Sequence, residues 1–96
     1  MNPADTTTLR VQVRGRVQGV GYRYSTVRQA SALGLAGWVR NRADGSVEAL
    51  LQGPADAVER MREWMRHQVP GARVDEMVVE ELAAEGLQGF EQRATV

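Results

Sequence analysis

Between a run that alternates like a strand and a run that repeats like a helix lies the stretch Gly15-Arg16-Val17-Gln18-Gly19-Val20-Gly21-Tyr22-Arg23. Its three glycines, at positions 15, 19 and 21, let the backbone bend tightly and leave its N–H groups unshielded by side chains. A chain that turns this sharply from strand to helix carries its loop amides to the helix N-terminus. There the free N–H groups and the helix dipole favour an anion. Arg23, at the start of the helix, adds a forked and permanently charged donor suited to phosphate. Taken alone, the stretch is either a glycine-rich turn with an arginine at its edge or an anion site.

The remaining periodicities give the order of elements. Leu9, Val11 and Val13 alternate with Arg10, Gln12 and Arg14, the mark of a half-buried strand. Residues 22–33 read as a helix with Val27, Ala30 and Leu33 on one stripe, and Gly34 ends it. Residues 36–42 and 46–52 read as strands joined by Asp44-Gly45, a strong hairpin signal. Gly53-Pro54 breaks the second of these, with Pro54 in the first turn of a new helix. Val58, Met61, Trp64 and Met65 then recur at helical spacing, as core residues do, until Pro70-Gly71. A strand over 74–82, a loop over 83–89 and a short closing strand over 90–95 complete the pattern. The expected fold is α+β: a ferredoxin-like split βαβ sandwich (βαββαβ), an antiparallel sheet with two helices on one face. Residues 1–7 read as a flexible leader and residues 8–96 as one domain.

Composition narrows the function classes. There is no cysteine, which excludes disulfides, a thiolate nucleophile and Cys-ligated metals. All 12 basic residues are arginine, which excludes a Schiff-base lysine and the lysine of a Walker-type loop. No run is long and apolar enough to span a membrane, and the first residues lack a secretory plan, so the expected location is the cytoplasm. Net charge is zero, yet residues 1–45 carry +5 and residues 46–96 carry −5. A neutral domain is a poor general nucleic-acid binder, but a locally positive first half suits a small anion. The lone His67 falls near the end of the second helix, where it reads as a solvent-facing helix-end residue or a dipole partner, and the acids show no metal-ligand spacing. Ser25 and Thr26 read as residues bonding locally in the first turn, with no neighbouring base to activate either.

The second unusual stretch is Gly37-Trp38-Val39-Arg40-Asn41, followed by Gly45, Val47 and Gly53. Asn41 is out of place in a strand. A strand-end asparagine is commonly a turn former or a backbone cap. Its amide is also a donor and an acceptor in one rigid group, able to hold a water beside an electrophile. In the expected topology Asn41 lies across the sheet from the glycine loop. Arg14, Arg16, Arg40 and Arg42 flank both stretches, either as steering charges for an anion or as solvated strand charges.

Together the two stretches resemble the paired signatures of the acylphosphatase family, and the resemblance runs from Leu9 to about Thr95. Two positions depart from it: Tyr22 stands where the family more often has Phe, and Gln92 where the closing strand often carries an aliphatic residue. The resemblance implies hydrolysis of the carboxyl–phosphate bond of small acyl phosphates to carboxylate and inorganic phosphate, without metal, cofactor or phosphoenzyme. By position, Arg23 corresponds to the phosphate-binding arginine and Asn41 to the water-orienting asparagine. The amides of Arg16, Val17, Gln18, Gly19, Val20, Gly21 and Tyr22 correspond to the phosphate cradle. The partner expected is the small substrate alone, with no nucleic acid and no membrane, and the protein is expected to be a monomer. Two other classes compete: a non-catalytic anion-binding module, and an RNA-binding sheet, which needs exposed aromatics where this chain has only 5% aromatic residues.

Overall fold

The computed structural model describes residues 5–96. In chain order it contains β1 (Thr6–Arg16), α1 (Tyr22–Ala32), β2 (Ala36–Asn41), β3 (Val47–Pro54), α2 (Ala55–His67), β4 (Arg73–Leu82) and β5 (Phe90–Gln92). The ladder reaches into the segment read as a leader: Thr6 pairs with Pro54 and Thr7 with Gly53, while residues 1–4 lie outside the described residues. Pro54 closes β3 and caps α2 from outside the first turn, where the sequence placed it inside.

The sheet order is β4-β1-β3-β2-β5. β3 lies between β1 and β2, antiparallel to each, so β1 and β2 run in the same direction and finish at the same end of the sheet. The fold is therefore the expected split βαβ arrangement, but its sheet is mixed where the sequence reading has it antiparallel: β5 pairs with β2 in parallel. The cause is the route taken by residues 83–89. β4 ends opposite Thr8, at the end of the sheet where β2 begins, and the chain crosses there to the far edge. Gln52 pins that crossing, its carboxamide donating to the Glu85 carbonyl and accepting from the Glu85 N–H, both at 2.8 Å.

Alternation along the strands divides the two faces. Leu9, Val11, Val13, Val39, Val47, Ala49 and Leu51 point toward the helices and meet Val58, Met61 and Met65 of α2 in one core. α1 contributes Tyr22, Thr26 and Ala30 as its buried positions, spaced four apart, with Val27 and Leu33 of the expected stripe at the margin of the core. Its C-terminus is a Schellman turn: Gly34 has φ +71°, its N–H donates to Ser31 O (3.1 Å), and the Leu35 N–H donates to Ala30 O (2.9 Å).

The opposite face is polar and built around Glu48, only 2% exposed. Its carboxylate accepts from Arg10 Nε (2.5 Å), Arg40 Nε (2.7 Å) and Arg42 Nη1 (3.1 Å). Burial raises the Glu48 pKa, but the hydrogen bonds and charges of Arg10 and Arg40 outweigh it and hold the group below its ordinary value. Trp38 lies on this face between the guanidinium groups of Arg40 and Arg93, 4.5 and 5.1 Å from its ring centre.

Candidate active site

The backbone leaves β1 through an irregularity between Arg14 and Gly15 in the pairing with β4. Gly15 has φ +134°, and a Cβ there would sit 2.3 Å from the Arg73 carbonyl, so only glycine fits. Arg16 is still in the ladder, paired with Arg73 and exposed, which puts its side chain outside the loop proper. Val17 turns into the core at 1% exposure. The Gln18 side chain donates to the carbonyls of Arg42 and Ser46, both at 2.9 Å, and so fixes the loop to the β2–β3 hairpin. Gly19 and Gly21 take left-handed φ of +77° and +78°, and Gly21 is the N-cap of α1.

The first bond of the helix runs from Ser25 N–H to Gly21 O at 3.0 Å. Among the described residues, no backbone N–H from 17 to 24 donates to another backbone group or to a side chain outside the strands. Here the helix lacks a side-chain cap and an acid in its first turn. A helix start with neither is a positive end left for something else to satisfy.

These amides border a cavity of about 140 Å³ lined by Val17, Gly19, Gly21, Tyr22, Arg23, Tyr24, Asn41 and Gln92. That is well below the roughly 300–1,000 Å³ of sites for drug-sized ligands. Arg23 makes no ion pair among the described residues, whereas Arg14 is bound to Asp44 (2.9 Å) and Arg10, Arg40 and Arg42 to Glu48. Three of the four flanking arginines, Arg14, Arg40 and Arg42, are thus engaged in ion pairs, and the cavity keeps an uncommitted guanidinium.

Asn41 ends β2, paired with Val47. Its carbonyl accepts from Val96 N–H (3.2 Å), and Ala43 N–H donates to Val96 O (2.7 Å), so the chain end braces the strand on either side of it. The Asn41 Oδ1 is buried and accepts no hydrogen bond from the protein. A buried acceptor left unpaired costs on the order of 1–3 kcal/mol, so it marks a place where a donor is wanted.

The structure therefore brings Arg23 and Asn41 into one cavity with Val17, Gly19, Gly21 and Tyr22 of the loop. Gln18 and Val20 do not line it, and Gln18 serves the loop as a clamp. Tyr22 is core as much as site: 2% exposed, it donates its hydroxyl to Met65 O at 2.8 Å, and burial raises its pKa. Thr26 was expected to bond locally, but its hydroxyl is fully buried without a partner. His67 is 60% exposed at the end of α2, 3.6 Å from Glu63, in keeping with a helix-end role.

Two lining residues were missed in the sequence. Tyr24, 64% exposed, carries no periodic signal. Gln92 had one: it is polar on a strand that should be apolar toward the helices. The structure places it in the lining of the cavity.

A mixed five-stranded sheet under two helices, with a glycine-rich loop opening the first helix beside a small cavity at one end of the sheet, defines a ferredoxin-like domain. The family model for Acylphosphatase matches residues 9–92. An acylphosphatase of Paraburkholderia xenovorans is 58% identical over 86 residues, covering 88% of this chain and 89% of that one. An acylphosphatase of Rhizorhabdus wittichii is 53% identical over 92 residues, covering 96% and 93%. Among solved structures, the acylphosphatase from Coxiella burnetii superposes with a TM-score of 0.89 at 36% identity, covering 94% of this chain and 95% of that one. The acylphosphatase from Bacillus subtilis gives 0.87 at 40% identity, covering 91% and 98%. The chain belongs to the acylphosphatase family, and its activity class is that of a hydrolase of acyl phosphates.

Proposed function

We propose that the protein hydrolyses small acyl phosphates by in-line attack of a water held at Asn41 on a phosphoryl group cradled by the loop amides and Arg23. The observation that carries this reading is one juxtaposition. Uncommitted backbone donors and an unpaired guanidinium share a cavity with a carboxamide whose acceptor is also uncommitted. The donors match a phosphoryl dianion. The carboxamide matches a water: a half-turn about its last bond presents either end to the cavity.

The water's oxygen bonds to phosphorus as the bond from phosphorus to the acyl oxygen breaks. The electron pair leaves with the carboxylate, and the water's proton goes to the phosphate product or to solvent. A carboxylate leaves without being protonated, so no general acid is required, and a loose transition state needs positioning and charge stabilisation above all. Arg23 and the amides bind the dianion and take up the charge developing on its oxygens.

The rest of the reading is a cytoplasmic monomer acting on a small molecule rather than on nucleic acid, and neutral net charge supports the last part of it. The aromatic residue on the open face, Trp38, is 9% exposed and covered by two arginines, a poor platform for a base. Among the described residues, no helix is long and apolar enough to cross a membrane.

The test is hydrolysis of acetyl and benzoyl phosphate with excess chelator, for the wild type, Arg23→Ala and Asn41→Ala. Removing one preorganised donor reduces turnover by about 10²–10³-fold, and Arg23→Ala should lose at least that together with affinity for inorganic phosphate. Asn41→Ala should lose about 10²-fold in kcat while phosphate inhibits it as it does the wild type. Full turnover by Asn41→Ala would refute the assignment of the water. A wild type that binds phosphate without turnover would reduce the protein to an anion-binding module.

A further inference from the structure

We infer that Gln92 is a second acceptor for the attacking water, taking one of its hydrogens while Asn41 takes the other; this rests on the mechanism proposed above. Alternation across β5 is decided by contacts. Phe90 packs against the core and lies beside Gly37, whereas Glu91 bonds Arg93 at 2.9 Å and Arg93 stacks on Trp38 of the open face. Gln92 therefore faces the helices, where an aliphatic residue would extend the core. Its side chain is exposed at the sheet edge and borders the cavity instead, and it makes no hydrogen bond to protein among the described residues.

Register gives its position relative to Asn41. Gln92 is the parallel partner of Val39, two residues before Asn41, and side chains two apart in a strand share a face. The two carboxamides thus project into the cavity from neighbouring strands on the same side. In-line displacement puts the attacking water and the leaving acyl oxygen on opposite sides of phosphorus. With Asn41 holding the water, a carboxamide on the neighbouring strand and the same sheet face is the next side chain placed to reach it. A water held for attack has two hydrogens to place and one lone pair to aim. Two carbonyl acceptors, with both NH2 groups turned away from the water, fix that orientation, and Asn41 alone leaves the second hydrogen free to swing.

The experiment is steady-state kinetics on benzoyl phosphate for the wild type, Gln92→Leu, Asn41→Ala and the double variant, with inorganic phosphate as competitive probe. Gln92→Leu restores the apolar residue expected on this strand, and circular dichroism with urea melts checks that it folds. The expected result is a fall in kcat of about three- to tenfold, the range carried by one neutral hydrogen bond, with KM and phosphate inhibition unchanged. Because both carboxamides hold one water, the double variant should lose little more than Asn41→Ala alone. Unchanged kcat in Gln92→Leu overturns the inference. So does a weakening of phosphate inhibition that matches the loss in turnover, or a double variant whose losses multiply. If Asn41→Ala itself keeps full kcat, the underlying mechanism fails, and the two failures are told apart.

Discussion

Replacing Glu48 by Gln tests whether the polar face of the sheet is a stability element independent of the site. The carboxylate is 2% exposed and bonded to Arg10, Arg40 and Arg42, whose side chains are 38%, 25% and 33% exposed. Breaking a buried ion pair from one side costs about 3–5 kcal/mol. Here the guanidiniums left behind rehydrate easily, which puts the expected loss near the bottom of that range, about 3 kcal/mol at pH 7. For a domain of this length that is roughly 12–24 °C in Tm, or a shift of about 2 M in the urea midpoint.

The pH dependence supplies the sharper check. The folded pKa of Glu48 lies below its ordinary 4.5, so its contribution is complete above that value and is lost as pH falls through the depressed one. Urea melts of wild type and Glu48→Gln should differ most at neutral pH and converge in acid. A difference under about 0.5 kcal/mol, the range of ordinary surface substitutions, or one that stays constant down to acid pH, would refute the reasoning.

Two further outcomes follow from single contacts. Tyr22→Phe removes the hydroxyl that satisfies Met65 O in the last turns of α2, so about 1–2 kcal/mol of stability should be lost in denaturant melts while kcat on benzoyl phosphate stays near wild type. A kcat loss as large as that of Asn41→Ala would instead give the hydroxyl a part in the chemistry. The Asp44 carboxyl is held down to about 2 by the Ser46 hydroxyl and backbone N–H, with Arg14 adding to them. Carboxyl carbon shifts followed by NMR should show its midpoint there, moving up toward 3.8 in Ser46→Ala. An unmoved midpoint would assign the shift to the backbone N–H and Arg14.

Which parts of this were legible in the sequence depends on how local their causes are. The glycine loop, the Asp44-Gly45 turn and the alternation of Leu9, Val11 and Val13 are set by backbone freedom and by periods of two and 3.6, and these fix the order of elements. The meeting of Arg23 with Asn41 followed from topology, since β1 and β2 must end together when β3 is inserted between them. The direction of β5 did not follow: three residues carry almost no periodicity, and a crossing seven residues long decides the pairing. The burial of Glu48 was equally invisible. In the sequence it is one polar residue in an alternating strand, and only the cross-strand register sets Arg40 opposite it with Arg10 on the diagonal. Gln92 shows in the sequence only as a departure from an aliphatic residue, because its place depends on what it faces and not on its propensity.

The two faces of the sheet divide the work in a way that can itself be tested. The helix face ends in the loop, Arg23, Asn41 and Gln92, while the open face carries the charge network on Glu48. One residue links them: Arg42 donates to Glu48, and its carbonyl accepts from Gln18, the clamp of the loop. If the faces act separately, the double variant Glu48→Gln/Asn41→Ala should lose stability as Glu48→Gln does and turnover as Asn41→Ala does, adding within about 0.5 kcal/mol. Coupling through Arg42 would appear as a loop loosened by Glu48→Gln, raising KM and weakening phosphate inhibition under conditions where that variant is fully folded. The backbone carbonyl of Arg42 is held by its own hairpin, since Gly45 N–H donates to it (3.0 Å) and Arg42 N–H donates to Ser46 O (2.9 Å). That bracing keeps the carbonyl in place when the guanidinium lets go, so additivity is the expected result, and a KM change in folded Glu48→Gln would overturn it.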